Sequence, residues 1–411
     1  MNKKSVLIVI YLFIQGIIHN IGHPITPSFV NTLGIPDYMF GLFFAAMSFG
    51  LMLGAPIWGV LSDRGHRKLW IALGLSMYTI GQLGFGYVHD QYWMVFFRLF
   101  AGFGVISALT IFTAIIVEET EVTSRAKLLA YLAASSTLGA SLGYYLGGFL
   151  ATNPLMIDIF GTSDLSRMFL IQAMLNLIYT FFIMMTLRGV EVTVRMHQKV
   201  SMIEGLKAIS KIDKRLLIFL ISVTLMNMAS TNLSKYIDVY FIDLGYTAQD
   251  LGTFVMVTGL VSLFVSLFLV RIATRFKKQV LFIAVMHILS SAIVFYVFRS
   301  FYFLTMMYTI YMVYVIFKTL YVPLEQSYIA KEAKQGQYGS IMGLRQSFVS
   351  LGMVLGPLLG GFLYDLSPLM LFDFNAIIFL VGVVLLFVVM AMEKRAKTYQ
   401  IHEQSSSNSD I

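Results

Sequence analysis

The residues Gly59-Val60-Leu61-Ser62-Asp63-Arg64-Gly65-His66-Arg67-Lys68 decide how the rest of the chain is read. They close one apolar run, 39–61, and lead at once into another, 69–88. Each run is long enough to carry a helix through a bilayer core of about 30 Å, which takes roughly 20 residues. A short turn bearing Arg64, Arg67 and Lys68 between two such runs reads as a membrane hairpin whose turn faces the cytoplasm, where Lys and Arg accumulate.

Outward from this hairpin the pattern repeats. The first half offers runs at 5–22, 39–61, 69–88, 92–117, 128–151 and 167–187, and the second at 216–242, 251–272, 280–298, 301–323, 338–363 and 369–392. The expected architecture is therefore an all-α membrane protein of twelve transmembrane helices in two six-helix halves. Its parts are residues 1–187, a cytoplasmic linker at 188–215, residues 216–392 and a cytoplasmic tail at 393–411. In the linker Met202, Ile203, Leu206 and Ile209 recur at helical spacing and predict an amphipathic helix on the inner membrane surface. The tail turns polar, and Ser405 to Asp410 are expected to lack structure.

Composition agrees with this reading. Of 411 residues 58% are hydrophobic and 12% charged, against about 45–50% and about 25% in soluble domains, which excludes a soluble enzyme. The absence of cysteine excludes disulfides, thiolate nucleophiles and cysteine-ligated metals. Lys3 and Lys4 before the first run have the look of a signal peptide. No small-residue cleavage site follows, however, so a retained first helix is expected.

The formal charge of +8 has a topological explanation. With the N-terminus inside, nearly all of the 29 Lys and Arg fall in inner loops, only Arg167 and Arg299 fall outside, and Arg98, Lys235, Lys318 and Arg345 lie within the apolar runs or at their margins. A nucleic-acid partner is not needed to explain the basic balance. A multi-pass protein of the cell membrane with both termini in the cytoplasm is expected.

The sequence 59–68 resembles the G-x-L-a-D-r-x-G-r-[KR] signature of the major facilitator superfamily, with His66 where a second glycine is usual. Arg98-Leu99-Phe100-Ala101-Gly102-Phe103-Gly104 is similar to that family's R-x-x-q-G-x-g motif, with Ala101 replacing a polar residue. Gly139, Gly143, Gly147 and Gly148 match the G-x-x-x-G-P-x-x-G-G motif of exporters, except that Tyr144 stands at the proline. Gly352, Gly356, Pro357, Gly360 and Gly361 repeat that motif with its proline present. The resemblance covers nearly the whole chain and looks nearest to the twelve-helix drug:proton antiporter branch of bacterial exporters. It implies transport by alternating access, and for Arg98 a part in proton transfer or in positioning cavity groups.

Glycines four apart line one helix face and let backbones approach closely, so Gly139, Gly143 and Gly147, like Gly352, Gly356 and Gly360, are expected at helix contacts on which halves rock. Gly59, Asp63, Arg64, Arg67 and Lys68, with Glu118 or Glu119 at the inner end of the fourth run, are the expected cytoplasmic gate.

Ionisable groups at membrane depth cost at least about 2.5–3.5 kcal/mol and by default face a bundle interior or a watery cavity. In the tenth run Tyr308, Tyr311, Tyr314, Lys318, Tyr321 and Glu325 share one face and are expected to line a cavity. Lys318 and Glu325 stand two turns apart, about 10 Å, too far for assured pairing. In the seventh run Asn227, Ser230, Thr231, Ser234 and Asp238 gather on one side. Lys235 is close enough in sequence to meet Asp238. Asp238 therefore reads either as a carrier of protons or cations, or as half of a neutralised pair. His19 is a candidate for proton coupling and His23, nearer the boundary, a weaker one. Arg345 either faces the cavity or snorkels to the inner headgroups.

No P-loop, complete G-x-G-x-x-G or H-E-x-x-H occurs, so neither an enzyme nor an ATP-driven pump is expected, and no cofactor or metal. The expected function is proton-coupled export of amphipathic small molecules by a monomer in the lipid bilayer. The alternatives are transport of an organic anion, sugar or lipid-linked substrate, and a non-transporting sensor or scaffold.

Overall fold

The computed structural model describes residues 3–188, 213–276, 278–332 and 338–407. The expected linker helix lies outside them, as does the side chain of Glu119. All twelve expected runs are helical, and no strand occurs among the described residues. Ten helical stretches are long and apolar enough to cross a membrane by themselves. The other two expected crossings are α1 (Lys3–Asn20), which begins on two lysines, and the Gly-, Ala- and Ser-rich α6 (Val122–Thr152).

Local chemistry sets the ends of these helices. A short α2 (Thr26–Thr32) follows α1. Pro36 in extended conformation starts α3 (Asp37–Asp63), with Asp37 in its first turn to favour the helix dipole. The chain then reverses through Gly65 (φ 94°) and His66 (φ 55°) into α4 (Arg67–Tyr87). His66 thus takes the left-handed conformation that a glycine would adopt without cost. The Asp90 carboxylate caps α5 (Gln91–Glu119) by accepting from the amides of Tyr92 and Trp93 at 3.1 and 3.0 Å. Asn153 caps α7 (Pro154–Phe160), and α8 (Ser166–Thr186) follows.

The second half runs α9 (Lys214–Asp243), α10 (Ala248–Phe264), a π turn at Val265–Leu269, α11 (Val270–Ala273) and α12 (Gln279–Val297). The tenth run is interrupted. Thr309, at φ −119° and ψ −83°, separates α13 (Phe303–Tyr308) from α14 (Ile310–Glu332). Then come α15 (Tyr338–Leu366) and α16 (Pro368–Ser407). The apolar crossing of α16 ends at Arg395, but the helix continues to Ser407 and so takes in 405–407, which were expected to lack structure.

Two compact units form, and they do not follow the two halves. The first comprises Met1–Gln198, Asn232–Phe264 and Val354–Pro368, and the second Lys199–Thr231, Val265–Met353 and Leu369–Ile411. In the first unit Ile8, Tyr11, Ile71, Leu75, Phe112, Ile115, Tyr179 and Ile183 form one buried cluster, while Phe29, Phe43, Phe85, Met94 and Phe169 anchor another. Outward-facing Leu170, Met174, Ile178, Phe181 and Met185 of α8 give that helix an exposed apolar stripe suited to lipid. In the second unit Phe298 stacks on Phe372 with ring centroids 3.6 Å apart.

Candidate transport site and gate

The motif glycines sit where helices touch. A methyl group at Gly143 would meet Cβ of Asn20 at 3.1 Å, and methyls at Gly139 and Gly147 would collide with the carbonyls of Phe13 and Ile21. The glycine face of α6 therefore packs on the backbone of α1. Gly352 faces the Thr224 carbonyl of α9, a methyl there standing 2.5 Å away, and Gly360 faces Asn232 and Tyr236 of the same helix. Gly356 is buried within α15. Sequence reading missed the opposite side of α6, where Gly148, Gly252 and Gly259 bring α6 and α10 together.

At the hairpin, the pairing falls to Arg67. Its guanidinium donates to both carboxylate oxygens of Glu118, at 2.8 and 2.5 Å, and its Nε donates to Ser62 Oγ at 3.1 Å. Asp63, expected in the gate, is exposed and forms no hydrogen bond or ion pair among the described residues. It ends α3, whereas Arg67 starts α4 and pairs with Glu118 of α5. Arg64 is exposed, Lys68 is half-buried, and Gly59 has open space around it apart from the Thr110 methyl.

Two buried carboxylates find partners that spacing did not give. Asp238 accepts from the Tyr144 hydroxyl at 2.9 Å, and no ion pair joins it to Lys235. The Lys235 ammonium instead lies 4.3 Å from the ring centroid of Phe44. Tyr144, standing at the motif's proline, is thus a donor to the seventh run. Glu325 is fully buried and ion-paired with Arg345. Glu325 thus has a close cation other than Lys318, and of the two places left open for Arg345 it takes the inward one. Along α14 Tyr311, Tyr314 and Tyr321 are buried and Lys318 is exposed, while Tyr308 belongs to the separate helix α13.

His19 has a structural use. Asn176 spends both amide hydrogens on Leu75 O and Thr79 Oγ1, so its Oδ1 accepts from His19 Nε2 at 2.9 Å. Asn227 is likewise absorbed, donating to the Val223 carbonyl of its own helix at 2.8 Å. Sequence reading also passed over His287, whose Nδ1–H donates to the Ile283 carbonyl at 2.9 Å and whose ring packs edge-on against Tyr321. Among the described residues no group of three or more His, Asp or Glu is arranged to hold a metal ion.

Arg98 is 5% exposed, and its guanidinium carbon lies 3.6 Å above the centre of the Phe85 ring. It forms no hydrogen bond or ion pair among the described residues. The ring contact is worth about 2 kcal/mol when desolvated, less than the several kcal/mol that removing such an ion from water costs.

Ten helices long and apolar enough to cross a membrane among the described residues, glycine-lined crossings and charged groups held at membrane depth define a multi-pass membrane transporter. The chain belongs to the major facilitator superfamily, whose family model matches residues 8–320 and 285–407. Multidrug resistance protein 1 of Bacillus subtilis is 26% identical over 392 residues, covering 94% of this chain and 96% of that protein. Quinolone resistance protein NorA of Staphylococcus aureus is 24% identical, covering 89% and 91%. The fold is also that of a bacterial homologue of the human lysosomal transporter Spinster in an inward-facing, occupied conformation, with a TM-score of 0.78, 12% identity and coverage of 94% and 96%. The protein is accordingly a transporter of small molecules, not an enzyme, and the sequence resemblance to the drug-exporter branch holds.

Proposed function

We propose that this transporter exports amphipathic small molecules, drug-like compounds included, in exchange for protons, acting as a monomer in the cell membrane with both termini in the cytoplasm. The observation that carries the coupling is the buried Glu325–Arg345 pair. A proton on Glu325 removes the charge that holds Arg345, so proton occupancy and the contact between α14 and α15 change together. The multidrug and quinolone resistance relatives support export of varied substrates. The glycine-lined crossings suit alternating access by rocking, with Arg67 and Glu118 of the hairpin latching the cytoplasmic side.

Reconstitution in liposomes with an imposed pH gradient, screened with cationic, neutral and anionic compounds, tests the reading. Gradient-driven accumulation of cationic or neutral amphiphiles is expected. Transport that ignores the gradient removes the proton, movement of anions, sugars or lipid-linked compounds alone favours that second class of substrate, and binding without movement favours a sensor.

A further inference from the structure

We infer that Arg98, with Lys235 and His23 beside it, forms a binding site for the anionic group of an amphiphile, a carboxylate or sulfonate of the kind a guanidinium fork recognises. The inference goes beyond the proposed function by taking up its organic-anion alternative at one site, and it rests on that reading only for the direction of movement.

All of these side chains belong to the first unit. The Arg98 guanidinium lies on Phe85 and donates no hydrogen bond among the described residues. Arg98 keeps 5% of its surface exposed. His23 Nδ1 is buried and without a partner. The His23 ring stacks on Tyr144 and Phe44 at 5.4 and 5.7 Å, and Arg98 and Lys235 both lie within electrostatic reach of it.

The nearby carboxylate, Asp238, is held by Tyr144, which leaves two cations against one acid. A planar fork with unused donors matches a carboxylate or sulfonate. A cation left unpaired in a packed interior destabilises the protein that carries it, as binding sites commonly do before the ligand arrives.

The test uses one ring system with three charges: 1-naphthalenesulfonate, 1-naphthalenemethanol and 1-naphthylmethylammonium. Binding to the full-length protein in nanodiscs is measured by equilibrium dialysis against protein-free nanodiscs of the same lipid. The sulfonate is expected to bind about tenfold or more tighter than either other compound. Arg98→Met should abolish that preference while leaving the alcohol within about twofold, and Arg98→Lys should keep part of it. Arg98→Met should also melt at a higher temperature without ligand, because a buried unpaired charge is gone.

If Arg98→Met does not fold, Lys235→Met decides, with an expected loss of about threefold for the sulfonate alone. Equal affinities, a preference for the ammonium compound, or a sulfonate preference that survives Arg98→Met and Lys235→Met would overturn the site. Dialysis involves no gradient, so failure of proton-driven export leaves this result standing, and the reverse holds equally.

Discussion

The Tyr144 hydroxyl donates to Asp238 Oδ2 at 2.9 Å across 94 residues of sequence. The bond joins α6 to α9 at a position where the exporter motif has proline, and it gives a buried acid its donor. Tyr144→Phe should cost about 1–3 kcal/mol, the penalty of leaving a buried acceptor unsatisfied. In a double-mutant cycle read by thermal unfolding in detergent, Tyr144→Phe combined with Asp238→Leu should cost less than the two single losses added. Strict additivity would mean that the bond contributes nothing.

Arg67 and Glu118 form an asymmetric pair, with side chains 3% and 34% exposed. Removing Glu118 strands a buried guanidinium, whereas removing Arg67 leaves a carboxylate that water can reach. Glu118→Ala should therefore lower the melting temperature more than Arg67→Met, and transport turnover should fall in both. The opposite order of stabilities would show that Arg67 is held chiefly by packing.

His66 occupies a left-handed backbone position beside Gly65. His66→Gly should stabilise the hairpin by about 1 kcal/mol, and His66→Val should destabilise it by more, since a branched Cβ fits that region worst. Melting curves of the two variants check this, with substrate binding unchanged.

The coupling reading predicts that Glu325→Gln abolishes uptake driven by an acid interior in everted vesicles while exchange without a gradient survives. Arg345 is the partner of Glu325, so Arg345→Met should strand the acid and reduce expression of folded protein, and Glu325→Gln with Arg345→Met should recover it. Full gradient-driven uptake by Glu325→Gln would exclude this carboxyl as the proton carrier.

Orientation has its own test in a chain without cysteine. Single cysteines at exposed Ser163 and Lys278 should react with an impermeant thiol reagent from outside and only from inside, respectively. Reversed labelling would move the hairpin of Arg67 and Glu118 to the outer side.

The sequence by itself determined the class. Hydropathy, cation sorting and glycine spacing are local properties, and the bilayer forces each apolar run of about 20 residues into a helix because no other backbone form satisfies its amides there. The glycine faces were legible for the same reason: a four-residue repeat says which side of a helix is smooth. Only the tertiary structure decided which charges meet. Lys235 and Asp238 are three residues apart yet do not pair, because Asp238 turns to Tyr144 and Lys235 to Phe44. Glu325 takes Arg345 from another helix, Glu118 takes Arg67 of the hairpin, and Arg98 is left on a phenyl ring. These outcomes depend on helix rotation and crossing, which bring together residues whose separation along the chain carries no signal of contact.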